Sequence, residues 1–443
     1  MKDLKIEELN QLTDEYISDA KNNIVRHALT QTDISSVASS KDSVIEMDFK
    51  FDIDIKTMPV NNQKASGRCW IFAACNFMRE MIAKELGVKE FKLSQSYIAF
   101  YDKLEKLNYT LNALTETINE DYDDRTVQFL VQSGIGDGGQ WDMIVNIIKK
   151  YGICPKSAYV ETYTSSNTRT LNSLLNAELR KFASESRKVL VEKGMKAVEE
   201  LKDSYIRRFY KALVSCYGIP PKTFDLNYVG KDEKLCKISG FTPKSFFEKY
   251  VGNKIDEYVS CINAPTKSKP FYRSFTVKYL GNVSDGKIVK HLNLPMERLK
   301  EVILEQLKDG QIVWFGSDVA GYGDRMRGVW NDKEFDFKSL LDLDLKMEKG
   351  ESLDFRASAM NHAMCITGVG FDENGVPSKW KIENSWGSDR GYSGYFIMSN
   401  TWFDQYTYQA VVNKKYLTKE ELAAYESEPI ELKPWDPMGS LAE

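Results

Sequence analysis

Histidine is nearly missing from this sequence: there are three in 443 residues, His27, His291 and His362, so few positions can supply an imidazole. Cysteine is sparse as well. Seven scattered residues with no CxxC pair predict neither a zinc site nor a disulfide framework, and no metal or other cofactor is expected. No apolar run approaches the ~20 residues of a spanning helix, and the segment Met1–Leu9 has no apolar h-region. Those two absences predict a cytoplasmic protein without a membrane partner. Charge of one sign is not in excess, since 60 basic and 64 acidic residues give −4, and nucleic acid is not indicated as a partner. The one compact basic cluster, Arg207-Arg208-Phe209-Tyr210-Lys211, reads as a solvated helix face. Repeats and low-complexity tracts are absent too.

What is present is ordinary for a globular chain: 42% apolar and 12% aromatic residues. The length suggests about three domains, or one large domain carrying an insertion.

The chemically dense stretch is Gln63-Lys64-Ala65-Ser66-Gly67-Arg68-Cys69-Trp70-Ile71-Phe72. After Cys69 the apolar positions Ile71, Phe72, Cys75, Met78, Met81, Ile82 and Leu86 recur at three- and four-residue steps, the period of a helix burying one face. Cys69 therefore sits at a helix N-terminus, where free N–H groups and the helix dipole favour an anion and can bring a thiol from about 8.5 toward roughly 3.5 to 7.5. The amide of Gln63 and the backbone N–H of Cys69 can converge as an oxyanion hole. A cysteine can also be just a small buried hydrophobe. Gly67 and Arg68, a permissive turn and a charge, instead suit an exposed elbow.

The cluster Gly134-Ile135-Gly136-Asp137-Gly138-Gly139 matches G-x-G-x-x-G, but no βαβ pattern surrounds it and no acidic partner follows at the distance a ribose site needs. It reads either as a loop needing positive φ or as a bare backbone edge open to a bound peptide. Residues 5–30 read as one amphipathic helix, and 162–292 as charged and strongly helical, with Thr242-Pro243 capping a helix toward Cys261. Short strands follow at 312–315, 362–371, 379–385 and 395–398.

Of the three histidines, His27 and His291 have structural settings. His362 lies in a strand with Met364 and Ile366 on its face, and the next strand puts Trp380, Ile382 and Asn384 together. A hairpin through Asp372-Glu373-Asn374-Gly375, centred near residue 373, makes His362 and Asn384 cross-strand neighbours. An Asn oxygen on one ring nitrogen would leave the other for Cys69, and Trp386 could shield that bond.

The segments Gln63–Trp70, Asn361-His362-Ala363 and Glu383-Asn384-Ser385-Trp386-Gly387 resemble, in order, the motifs of papain-like cysteine proteases. Two departures narrow the match. Ser66 stands where secreted members carry a disulfide cysteine, and 293 residues separate Cys69 from His362, against about 130 to 150 in papain and cathepsins. With Leu93-Ser94-Gln95-Ser96-Tyr97, Asp102-Lys103-Leu104-Glu105-Lys106 and Trp435-Asp436-Pro437-Met438-Gly439-Ser440-Leu441-Ala442, the whole resembles the bleomycin hydrolase and aminopeptidase C family.

That resemblance implies an α+β, papain-like two-lobed fold: a helical left lobe, an antiparallel β-barrel-like right lobe, a large helical insertion and extensions at both ends. The boundaries drawn are 1–60 for an N-terminal helical extension, 61–161 for the left lobe, 162–292 for the inserted, oligomerising region, 293–432 for the right lobe and 433–443 for a C-terminal arm in the cleft. Residue by residue it implies Cys69 as nucleophile, His362 as general base and acid, Asn384 as its orienter and Gln63 as oxyanion donor. Trp70 and Trp386 support them, and Gly138 and Gly139 form the substrate-binding edge. Pro434 and Pro437 suggest an extended arm whose end, Ala442 and Glu443, meets the α-ammonium of a peptide with a free N-terminus. A homohexamer is implied too. The expected activity is a cytosolic cysteine aminopeptidase with bleomycin hydrolase-like amide hydrolysis. Two rivals stay open at this stage: a detoxifying small-amide or thiolactone hydrolase, and an inactive or nucleic-acid-binding hexameric scaffold.

Overall fold

The computed structural model describes residues 3–42, 47–230 and 233–442; the expected substrate contact at Glu443 lies outside them. Cys69 opens the helix Cys69–Leu86, which ends where Gly87 takes φ 64°, a left-handed conformation that suits glycine, and returns its N–H to the Ala83 carbonyl. The apolar spacing predicted one buried face. Every residue from Cys69 to Arg79 is buried instead, because this helix runs between the helices Gln95–Glu116 and Trp141–Tyr151 and a large sheet.

The sheet has twelve strands among the described residues. Its centre consists of β1 (Tyr258–Ile262), β2 (Val313–Ser317), β3 (His362–Phe371), β4 (Pro377–Glu383), β5 (Tyr395–Ser399) and β6 (Thr407–Asn413). Their spatial order is β1-β6-β2-β3-β4-β5, antiparallel throughout. At the flanks, β1 pairs in parallel with His291–Asn293 and β5 with Val329–Trp330. The path ends at Ile430–Leu432 and Gly323–Asp324, and no pairing among the described residues joins those ends. An antiparallel barrel-like lobe was expected. The sheet is mixed and open, because long connections let non-sequential strands lie side by side in parallel.

Three local expectations change. The N-terminal helix is two, Ile6–Ser18 and Ala20–Leu29, because the Asp19 side chain accepts from the Lys21 N–H at 2.8 Å and starts the second. The helix capped by Thr242 stops at Tyr250, and Cys261 lies in β1. All five residues of β1 are buried, and a strand covered on both faces shows no alternation to read. Finally, the segment 162–292 begins with the expected helices Arg169–Lys193 and Met195–Tyr217 but then adds a hairpin, Phe224–Val229 with Leu235–Phe241, and strands of the main sheet. No helix among the described residues is long and apolar enough to cross a membrane.

Two contacts tie the Cys69 helix to the sheet. The Trp314 indole of β2 donates to the Trp70 carbonyl at 3.1 Å, and the Cys365 thiol of β3 to the Ala73 carbonyl at 3.3 Å.

Candidate active site

The first residue of one element meets the first residue of another. Cys69 begins its helix, His362 begins β3, and the N–H of the next residue, Ala363, donates to the Cys69 sulfur at 3.4 Å. The thiol also reaches the Gly67 carbonyl at 3.9 Å. Burial pushes the thiol up to about 11, an effect that the N–H groups of Ala363, Trp70 and Cys69 oppose and the charge of Asp137 reinforces. The expected depression of this thiol by a helix N-terminus is therefore overturned. The dipole argument assumed an exposed elbow, whereas here the site is covered and desolvation dominates.

His362 is likewise held neutral, lowered to about 4 by burial, which outweighs its bond to Asn384. That bond is short: Nε2 lies 2.8 Å from Asn384 Oδ1. The Ser385 N–H donates to the same Oδ1 at 2.7 Å, which identifies that atom as the acceptor. The ring therefore carries its proton on Nε2, and Nδ1 is the free base. Trp386 stacks on the ring, centroids 4.8 Å apart at 31°.

The register of the hairpin is not the one expected. Cys365 pairs with Glu383 and Ile366 with Ile382, which centres the hairpin one residue later and places His362 two positions along from the residue facing Asn384. The turn sets this offset: the Asp372 carboxylate accepts from the Asn374 and Val376 N–H groups and Phe371 already pairs with Pro377, while two register shifts further along, at Ser378 and Thr367, cancel each other. The two side chains meet diagonally, a relation still within reach of a ring and an amide.

Gln63 is oriented at both ends of its amide. Its Oε1 accepts from Ser385 Oγ at 2.6 Å, and its Nε2 donates one hydrogen to the Ser66 carbonyl at 2.6 Å. The second N–H is left for a ligand. Ser385 thus serves both Asn384 and Gln63, and the sequence offered no sign of it beyond its place in the Asn384 motif.

Gly138 and Gly139 each fill a place with no room for a side chain. A Cβ on Gly139 would stand 2.5 Å from the Trp70 indole, and one on Gly138 2.1 Å from the Leu441 carbonyl. Trp70 is the floor beneath this edge, its indole donating to the Asp137 carbonyl at 2.7 Å. Leu441 belongs to the C-terminal arm, which folds as a 3-10 turn over Pro437–Ala442 rather than in the extended course that two prolines suggested. Met438 and Leu441 are buried, the Met438 carbonyl accepts from Gln140 Nε2 at 3.3 Å, and Ser440 Oγ donates to the Met360 carbonyl at 2.7 Å. Closing the arm's base, Asp436 pairs with Lys269 at 2.9 Å and Arg125 lies 3.8 Å over the Trp435 ring.

Buried charges missed from sequence support the site. Arg79 reaches Glu383 at 2.7 Å and the Met58 carbonyl at 2.9 Å, anchoring the end of β4 directly before Asn384. A charged residue inside an apolar helix face was the available signal.

The sequence profile of the Peptidase C1-like family matches residues 3–439. The chain belongs to the Peptidase C1-like family. Among relatives, Aminopeptidase C of Streptococcus thermophilus is 44% identical over 443 residues, covering all of both chains. Bleomycin hydrolase of Homo sapiens is 38% identical over 403 residues, 89% of each. Among solved structures, PepW from Lactobacillus rhamnosis HN001 is 42% identical, covers 99% of each chain and superposes with a TM-score of 0.96. Papain-like C1 architecture with mixed α and β content is thereby given to this member of the family.

Proposed function

We propose that this protein is a cysteine aminopeptidase, releasing N-terminal residues from peptides and hydrolysing related amides that carry a free amine. The observation that supports this reading best is the seat of Leu441 against Gly138, beside the cysteine and histidine. A cleft that would otherwise take a long chain is filled on one side by the protein's own arm, and only a short N-terminal portion of a substrate fits in what is left. The end of the arm, Ala442 and Glu443, is assigned to the substrate's ammonium group.

In the reaction, Cys69 Sγ attacks the carbonyl carbon after the N-terminal residue as its proton passes to His362 Nδ1. The carbonyl oxygen becomes an oxyanion held by the Cys69 N–H and the second N–H of Gln63. Collapse breaks the C–N bond, and the imidazolium gives its proton to the departing amine. Water, deprotonated by the same ring, then cleaves the thioester and restores the thiol. Asn384 keeps Nδ1 free throughout, and Trp386 covers that hydrogen bond.

Assays on an aminoacyl amide and its N-acetylated form test this directly. The free amine is expected to be cleaved and the blocked form rejected, and a chain ending at Lys433 should accept the blocked form. Equal rates on both by the full chain would contradict the reading.

We also infer a homo-oligomer, of the hexameric kind, and a cytoplasmic location. Neither N-terminal helix buries a residue, and Ile6, Leu12, Ile17 and Ile24 are exposed on them, an apolar surface suited to a second copy. Light scattering that found a monomer at micromolar concentration would overturn the assembly.

A further inference from the structure

Asp137 sits inside the glycine cluster and is buried, yet no step of the reaction uses it. Its Oδ2 accepts from the Gly67 N–H at 2.9 Å and from the Thr168 hydroxyl. Its Oδ1 accepts from Lys103 Nζ at 2.5 Å and from Asn172 Nδ2 at 3.0 Å. Its main-chain oxygen takes the Trp70 indole N–H at 2.7 Å. One residue therefore grips the chain two positions before Cys69 and one position after it. Glycine at position 67 eases this approach, because a Cβ there would stand 3.0 Å from the Asp137 Cβ.

The negative charge of Asp137 works against an ionised sulfur, being one of the influences that raise the Cys69 thiol. Activating the thiol is thus not what this carboxylate does. Burial alone would raise its own pKa, but the charge and hydrogen bond of Lys103, with Thr168 and the Gly67 N–H, outweigh that and hold it ionised, well below the usual carboxylate range. A fixed acceptor is the result. Since the peptide planes between residues 67 and 70 carry the Cys69 N–H, gripping both ends sets the direction in which that donor points.

Two of the four hydrogen bonds to this carboxylate, those of Thr168 and Asn172, come from the helical segment after residue 162. Thr168 stands directly before the helix Arg169–Lys193 and Asn172 in its first turn. The same segment touches the nucleophile loop through the Thr168 N–H on the Ala65 carbonyl, at 3.3 Å, and a bridge between Asn167 and Ala65.

We propose that Asp137 is a positioning residue for the oxyanion-binding N–H of Cys69, and that Thr168 and Asn172 make the inserted helices part of that device. The proposal rests on the cysteine aminopeptidase reading above. A misdirected Cys69 N–H impairs acyl transfer, which builds an oxyanion, but not alkylation of the sulfur, which builds none.

The test uses the full chain. In Asp137→Ala/Lys103→Met the carboxylate is removed together with its buried cation, and in Asp137→Asn/Lys103→Met a neutral acceptor is kept. For the alanine pair kcat on an aminoacyl amide is expected to fall about 10²-fold, the scale of one lost oxyanion donor. KM and the rate of Cys69 alkylation by iodoacetamide should stay within about twofold, and the asparagine pair should recover most of kcat. Thr168→Val, a near-isosteric change, should lower kcat about threefold to tenfold with alkylation unchanged. Unchanged kcat in Thr168→Val or in the alanine pair, a parallel loss of alkylation, or an asparagine pair as slow as the alanine pair would each overturn the proposal. Amidase activity surviving Cys69→Ala would instead remove the aminopeptidase reading itself, a separate and recognisable outcome.

Discussion

The N–H of Ala363 points at the sulfur of Cys69 across 3.4 Å, although 294 positions separate the two residues. That contact brings β3 against the helix N-terminus and carries His362 there as its neighbour in the chain. Burial pushes the thiol up and the imidazole down, and in the mechanism proposed above the sulfur ionises by handing its proton to the ring.

His362→Ala removes the only imidazole at the site. The kcat should fall about 10²- to 10⁴-fold, the usual worth of a general acid–base group. Alkylation of Cys69 by iodoacetamide at pH 6 should slow by at least about tenfold, since the proposed mechanism makes this ring the acceptor of the thiol's proton. An unchanged alkylation rate would show that the ring does not take the proton.

Gln63→Ala should lower kcat about 10²- to 10³-fold with little change in KM. Ser385→Ala leaves the donor in place but frees Oε1, and a loss of about threefold to tenfold is expected, the worth of one neutral hydrogen bond. Steady-state kinetics on an aminoacyl amide checks both. A larger loss in Ser385→Ala than in Gln63→Ala would contradict the order of dependence.

Acid should inactivate late. His362 must be neutral to accept a proton, and its pKa is lowered to about 4, so kcat/KM should hold from pH 7 to about 5 and fall only as pH approaches 4. A profile with its acidic limb near 6.5, the ordinary imidazole value, would place the ring in water rather than under Trp386.

His291 gives a stability test away from the chemistry. It is fully buried, its Nδ1 shares a hydrogen bond with Ser260 Oγ at 2.7 Å, and burial lowers it to about 4. Between about pH 6.5 and 4 the unfolded chain binds a proton there and the folded chain does not, so stability from this group is present above pH 6.5 and is lost as pH falls. The difference in unfolding free energy between wild type and His291→Gln should shift against wild type by up to about 3 kcal/mol from pH 7 to 4. Urea titrations at several pH values measure it, and a pH-independent difference would contradict the burial argument.

Much of this site could be read in advance because its residues sit in short local motifs. Gln63, Cys69, His362 and Asn384 each occupy a motif with its own spacing, and Gly138-Gly139 stood out by composition. The register of the hairpin was misjudged by a single step of its centre, because the Asp372 carboxylate closes the turn on Val376, one residue beyond the four residues read as the loop. The sign of the Cys69 shift was also missed. It depends on how deeply the fold buries the sulfur, a tertiary quantity that helix periodicity does not carry. Asp137 stayed hidden among glycines, since its partners Lys103, Thr168 and Asn172 come from two other helices and converge only on folding.

Trapping the covalent intermediate tests the nucleophile most directly. An aminoacyl ester mixed with the full chain, quenched in acid within one turnover and mapped by mass spectrometry should leave the acyl group on the peptide carrying Cys69. An amine or alcohol burst with no acyl group there, or with the group on another residue, would contradict the role given to that sulfur.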